Sequence, residues 1–93
     1  MIRSFKHKLA ENLFDGKCPK GFPADLFKVA RRKLEAIQAA QRLEDLRVPP
    51  GNRLEALTGD RAGQYSIRVN DQWRACFVWS DGGAWEVEIV DYH

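Results

Sequence analysis

The stretch from Ser66 to His93, SIRVNDQWRACFVWSDGGAWEVEIVDYH, constrains the fold more than any other part of the chain. Three runs rich in β-branched and aromatic residues are separated by two turn signals, Asn70-Asp71-Gln72 and Ser80-Asp81-Gly82-Gly83. This pattern predicts a three-stranded antiparallel meander. Successive side chains of a strand point to opposite faces. Tyr65, Ile67 and Val69 therefore share one face with Trp73, Ala75, Phe77 and Trp79, and with Trp85, Val87 and Ile89. The other face receives Ser66, Arg68, Arg74, Cys76, Glu86, Glu88 and Tyr92. The first set is apolar and aromatic and is expected to face the core. The second is polar and is expected to be an open working surface.

The residues before the meander supply what covers its apolar face. Leu9 and Leu13 lie four apart, as do Ala10 and Phe14, which predicts a helix over about Lys6 to Phe14. Asp15-Gly16 ends it, with glycine where a left-handed backbone is needed. A second helix is predicted over Ala24 to Gln41, with Leu26, Ala30, Leu34 and Ile37 as its apolar stripe and Phe27 beside it. Pro49-Pro50-Gly51 stops any helix. Asn52 to Leu57 reads as a strand, and Met1 to Phe5 as a short edge strand. The expected fold is α+β: two N-terminal helices packed on one face of a small, mainly antiparallel sheet, in the order β-α-α-β-β-β-β. Ninety-three residues are expected to make one domain, 1–93.

Charge is unevenly placed. Residues 1–42 hold ten Lys or Arg and four Asp or Glu, whereas residues 43–93 hold five Arg and nine Asp or Glu. Lys28, Arg31, Arg32 and Lys33 crowd the second helix, a set that suits a polyanion or an acidic partner; the alternative is a solvated helix face. No apolar run is long enough to cross a membrane, no signal peptide is evident, and the expected location is the cytoplasm. Cys18 and Cys76 are expected to be free thiols there. No Cys and His cluster has metal-ligand spacing, so no metal or other cofactor is expected.

Two constellations carry chemistry. A three-residue loop at Asn70-Asp71-Gln72 would set Arg68 beside Arg74 on the polar face. Paired like charges repel unless an anion sits between them, and guanidinium forks match phosphate oxygens. The alternative pairs these arginines with Glu86 and Glu88 on the next strand. The second constellation is Asp91-Tyr92-His93, a carboxylate, a phenol and an imidazole in series, all capable of proton transfer. Strict alternation puts Tyr92 with the arginines and turns Asp91 and His93 to the other face, unless the tail bends; the alternative is a frayed polar terminus.

These residues carry a resemblance. The opening MIRSFKHK, the central helix, NRLEALTGD, the QYSIRVNDQWR hairpin and the terminal VEIVDYH together resemble the HigB-type toxins of the RelE/ParE superfamily of bacterial toxin–antitoxin systems. The resemblance implies a ribosome-dependent, metal-independent mRNA endoribonuclease, neutralised by a HigA-type helix-turn-helix antitoxin and reaching operator DNA only through it. It implies that Arg74 holds the scissile phosphate, with Arg68 beside it, and that Asp91, Tyr92 and His93 form the C-terminal part of the active site. Where many relatives read His-Pro-Leu-Lys, this chain reads Glu55-Ala56-Leu57-Thr58. Glu55 thus replaces an active-site histidine, and it becomes a candidate base if burial raises its pKa. The alternative is an exposed strand residue. Lys28, Arg31, Arg32 and Lys33 are the expected ribosomal RNA contacts. Two other functions are compatible with the superfamily: a ParE-like inhibitor of DNA gyrase, and a non-enzymatic subunit that modulates antitoxin binding to DNA.

Overall fold

Asn70 builds the first hairpin as the sequence predicts. Its Oδ1 accepts the backbone N–H groups of Gln72 at 2.9 Å and Trp73 at 2.7 Å, a local bridge that asparagine makes in turns. In the computed structural model, which describes residues 1–91, the strands are β1 (Glu55–Ala56), β2 (Tyr65–Arg68), β3 (Trp73–Ser80) and β4 (Gly83–Asp91). They form one antiparallel sheet in the order β1-β2-β3-β4. Tyr92 and His93 lie outside the described residues. The second hairpin turns on Asp81 (φ 52°) and Gly82 (φ 70°), the two positive-φ positions of a tight, strand-matched turn.

Two helices cover one face of this sheet: α1 (Lys8–Phe14) and α2 (Phe27–Ala39). Ala10 and Leu13 of α1 and Ala30, Leu34 and Ile37 of α2 are fully buried against Ile67, Ala75, Phe77 and Val87 of the sheet. Each of the larger of these side chains contributes about 1.5–3 kcal/mol by leaving water. Both helices are shorter than their apolar periodicity suggests. His7 stays extended, and Ala24–Leu26 forms a 3-10 turn before α2. Ala40 leaves the helix in an extended conformation.

Three expectations need correction. Residues 1–5 do not form a full strand; Ile2 and Phe5 make isolated parallel bridges to Ala84 and Val87 of β4. The strand predicted over residues 52–57 shrinks to Glu55–Ala56, because Pro50–Asn52 winds into a 3-10 turn. Trp85, expected in the core, is 39% exposed. The register slips by one residue between the Cys76 and Val78 pairs, and Glu86 there takes φ 55°. A bulge of this kind moves every later residue to the other face. Ala84 takes the core position instead and is fully buried, while the indole of Trp85 donates to the Ser80 carbonyl at 3.2 Å.

The bulge makes a stability prediction that simple alternation would reverse. Trp85→Ala is expected to cost less than about 1 kcal/mol, while Ala84→Leu overpacks a filled site by about 1–3 kcal/mol. Urea unfolding of the two variants checks it. A larger loss for Trp85→Ala would place the indole in the core after all.

Candidate active site

On the face away from the helices, strand register lines up Glu55, Ser66, Cys76 and Glu88 in one row across the sheet. Arg68, Arg74 and Val90 form the next row. The expected pairing of Arg68 with Arg74 is therefore present. This face is less open than its polarity suggests: Ser66, Cys76 and Glu88 are all buried. Glu88 draws Arg61 to 3.0 Å and Lys6 to 3.6 Å, and His7 lies 3.9 Å away. These contacts hold residues 6, 7 and 61 over the sheet. Burial pushes the Cys76 thiol above its usual pKa, so it is held as the neutral form.

Arg74 is held by three groups. Its side chain is 12% exposed. Nε donates to Ser66 Oγ at 2.8 Å, and one terminal nitrogen donates to the Arg53 carbonyl at 2.8 Å. The same nitrogen lies 3.6 Å from Glu55 Oε1. Arg53 presents that carbonyl from a left-handed conformation, φ 47°, which costs a residue with a side chain about 1–2 kcal/mol. Arg68 turns the other way, to the carboxylate of Asp71. The two arginines thus avoid repulsion by diverging to separate acids. Glu88 instead takes Arg61 and Lys6, and the arginines' carboxylates are Glu55 and Asp71. The Arg68 hydrogen bond and charge hold the Asp71 carboxyl below its usual range. Glu55 is not buried: its side chain is 57% exposed, so the burial that would suit a base is missing.

Lys33 leaves the helix surface to join this edge. Its Nζ donates to Asn52 Oδ1, and Asn52, fully buried, donates in turn to the carbonyls of Leu46 at 3.2 Å and Val48 at 3.3 Å. Desolvation, followed by the charges of Arg32 and Arg68, lowers the pKa of Lys33. The turn at Asn52-Arg53 is therefore gripped from two sides, by Lys33 at one residue and by Arg74 at the next. The other basic residues of α2 do not join it. Lys28 and Arg32 are exposed, while Arg31 is half-buried, with Nε lacking a hydrogen-bond partner among the described residues. The four residues expected to form one basic surface are thus split between two environments.

Asp91 lies opposite Trp73, so alternation turns it to Trp73's face rather than to that of the arginines. It is exposed, and its Oδ2 accepts from Gln72 Nε2 at 3.0 Å. The expected roles of Tyr92 and His93 fall outside the described residues. Sequence reasoning missed Asn52, Arg53 and Ser66, the groups that fix Lys33 and Arg74. The sequence marks Pro49-Pro50-Gly51 as a stop and turn, which gives no sign of the hydrogen bonds that Asn52 and Arg53 make.

A family model described as a RelE-like toxin of the type II toxin–antitoxin system HigB matches residues 3–93. Toxin HigB-1 of Vibrio cholerae serotype O1 is 46% identical over 85 residues, covering 90% of this chain and 90% of its own. Endoribonuclease HigB of Proteus vulgaris is 37% identical over 97 residues, covering 100% of both. Among solved structures, the YoeB-YefM complex from Staphylococcus aureus superposes with a TM-score of 0.61 at 18% identity, over 100% of this chain and 98% of that one. That likeness concerns the fold alone. The family model and the two relatives together make the assignment: this chain belongs to the HigB family of RelE-like toxins of type II toxin–antitoxin systems.

Proposed function

We propose that the protein is a metal-independent endoribonuclease that cleaves mRNA within the ribosome and is neutralised by a HigA-type antitoxin. The observation that carries this reading is Arg74. It is a guanidinium fixed by Ser66 and Arg53 whose remaining charge meets an exposed carboxylate, Glu55, in the manner of an anion site. The name of the Proteus vulgaris relative, an endoribonuclease, supports reading that anion as an RNA phosphate. RNA carries its own nucleophile, the 2′-OH. Cleavage removes the hydroxyl proton, forms the bond to phosphorus and releases the 5′-oxygen with a proton. The products are a 2′,3′-cyclic phosphate and a 5′-hydroxyl.

Arg74, with Arg68, is assigned to the charge that builds on the phosphoryl oxygens. His93 is assigned to proton transfer, Asp91 to orienting it, and Tyr92 to stacking on a base or donating a hydrogen bond. Glu55 occupies the anion position until RNA displaces it. A ribosome supplies mRNA in a fixed geometry, which a site this small gains from directly. Lys28 and Arg32 are assigned to ribosomal RNA phosphates, and Arg31 to the edge of that surface.

Lys33 is assigned to an RNA phosphate next to the scissile one. Its lowered pKa gives this a testable sign. A lysine with a depressed pKa loses its charge before pH reaches 10.5, its ordinary value, whereas arginine does not. Affinity for a 2′-O-methyl RNA, which resists alkaline cleavage, is expected to fall on the alkaline side earlier in the wild type than in Lys33→Arg. Identical alkaline limbs for the two proteins would remove Lys33 from the RNA site.

Mapping RNA 5′ ends after brief induction tests the function as a whole. Cuts phased with codons are expected. Supercoiling defects without cuts would make the protein a gyrase inhibitor, and the absence of both would leave a subunit acting only through its antitoxin.

A further inference from the structure

Trp73 and Arg74 are consecutive on β3, so their side chains leave opposite faces at the same end of the sheet. The Arg74 face has been described. On the Trp73 face a groove of about 420 Å³ opens between α1 and the loop before α2. Leu9, Phe22 and Trp73 form its apolar part, and Lys8, Asn12 and Lys20 its polar part. Phe22 meets the Trp73 ring edge-on, with centroids 5.1 Å apart. Phe22 is buried, so it fixes the indole from below. The indole Nε1 is itself buried, and it has no hydrogen-bond partner among the described residues. No carboxylate lines the groove among those residues. Glu11 lies 3.6 Å from Lys8, whose own side chain is 86% exposed and able to swing away, and Asp91, on Trp73's face at this strand end, accepts a hydrogen bond from Gln72.

These groups ask for a particular chemistry. A flat aromatic surface takes a nucleobase by stacking, whatever its identity. A side-chain amide both donates and accepts, and so matches the edge of a base. Two lysines on flexible stems suit phosphate oxygens as point charges. The volume lies near the lower end of the roughly 300–1,000 Å³ found for small-ligand sites. A purely apolar ligand would leave the lysines and Asn12 unused, and an acidic peptide would leave the aromatic floor unused. The site's place is equally specific, since it sits across one thickness of sheet from Arg74, at the strand end where Asp91 opposes Trp73.

We propose that this groove binds one nucleotide of single-stranded RNA, a neighbour of the nucleotide whose phosphate meets Arg74. The inference rests on the endoribonuclease reading. The RNA then wraps the end of β3, with its reacting phosphate on one face and a flanking base on the other. The groove is a second grip that fixes where along the strand the cut falls.

The test uses the full chain and a short 2′-O-methyl RNA oligonucleotide. Addition of the RNA is expected to shift the indole N–H resonance of Trp73 in the wild-type protein. Lys8→Gln with Lys20→Gln is expected to weaken binding at least several-fold. It is also expected to reduce the salt slope by about 1.4, the value for two lost contacts to a single strand at about 0.7 each. Both lysines are exposed, and a thermal melt confirms that the variant is folded. Two results overturn the groove: RNA that binds without moving the Trp73 resonance, or a double variant with unchanged affinity and salt slope. Loss of antitoxin binding with RNA affinity unchanged also overturns it, and assigns the groove to a protein partner. The cleavage assay keeps the two ideas apart. Wild-type cleavage with an unresponsive groove rejects this inference alone. RNA seated in the groove, with no cut made in unmodified mRNA on programmed ribosomes, upholds the RNA site and rejects the nuclease reading.

Discussion

Arg74→Lys is expected to lower cleavage by about 10²–10³-fold, the usual loss when one preorganised donor to a developing anion is removed. Lysine keeps the charge. It cannot reproduce the fork, because a single ammonium would have to serve Ser66 Oγ, the Arg53 carbonyl and the phosphate at once. Alanine is a blunter test. It leaves the buried Ser66 hydroxyl and the Arg53 carbonyl short of a donor, a loss of about 1–3 kcal/mol, so weaker activity could reflect fewer folded molecules. The lysine variant should therefore be compared at equal folded fraction, measured by unfolding in urea. Full activity of folded Arg74→Lys would show that position, and not guanidinium geometry, is all the site uses.

The second large effect is expected at the tail. His93→Gln should slow cleavage by about 10²–10⁴-fold, the range for loss of one general acid or base. It should also flatten the pH dependence near the histidine reference of about 6.5. Glu55→Gln is expected to act in the opposite direction. Its carboxylate is exposed and lies against Arg74, so neutralising it removes a competitor for the phosphate and should tighten RNA binding a few-fold. Cleavage rates on programmed ribosomes across the histidine titration range compare the two variants directly. A severe defect in Glu55→Gln with a mild one in His93→Gln would make Glu55 the base. Normal rates in both would leave the reaction to positioning and arginine electrostatics.

Much of the architecture is legible because it depends on short-range rules. The two hairpins follow from Asn70 and from Asp81-Gly82, whose local chemistry dictates their turns. The core stripes of α1 and α2 follow from spacing. Trp85 was misplaced because the bulge at Glu86 has no local signature: a non-glycine residue adopts φ 55° there, and its N–H is met by Ser4 Oγ, contributed from far along the chain. The candidate site divides in the same way. The Arg68–Arg74 pair needed only a loop length. The grip on Arg74 and Lys33 comes from Asn52, Arg53 and Ser66 on two other segments, and no spacing rule connects them. The alternation rule did place Asp91 correctly, opposite Trp73 and away from the arginines.

The bridges from Ile2 and Phe5 to Ala84 and Val87 have a consequence for when the fold can close. Gly83 is part of the same seam: a Cβ there would come within 2.7 Å of the Arg3 side chain. Ser4 Oγ and the Glu86 N–H meet across a separation of 82 residues. Closing so long a loop is entropically costly and slow compared with forming either helix. During synthesis, residues 1–5 have no surface to rest on until β4 has left the exit tunnel. Until then β3 also lacks the partner that holds Arg74's strand from one side. A half-made copy thus has the residues of both helices but not the strand that pairs with Arg74's own. The topology leaves Arg74's strand half-paired until β4 is available to it.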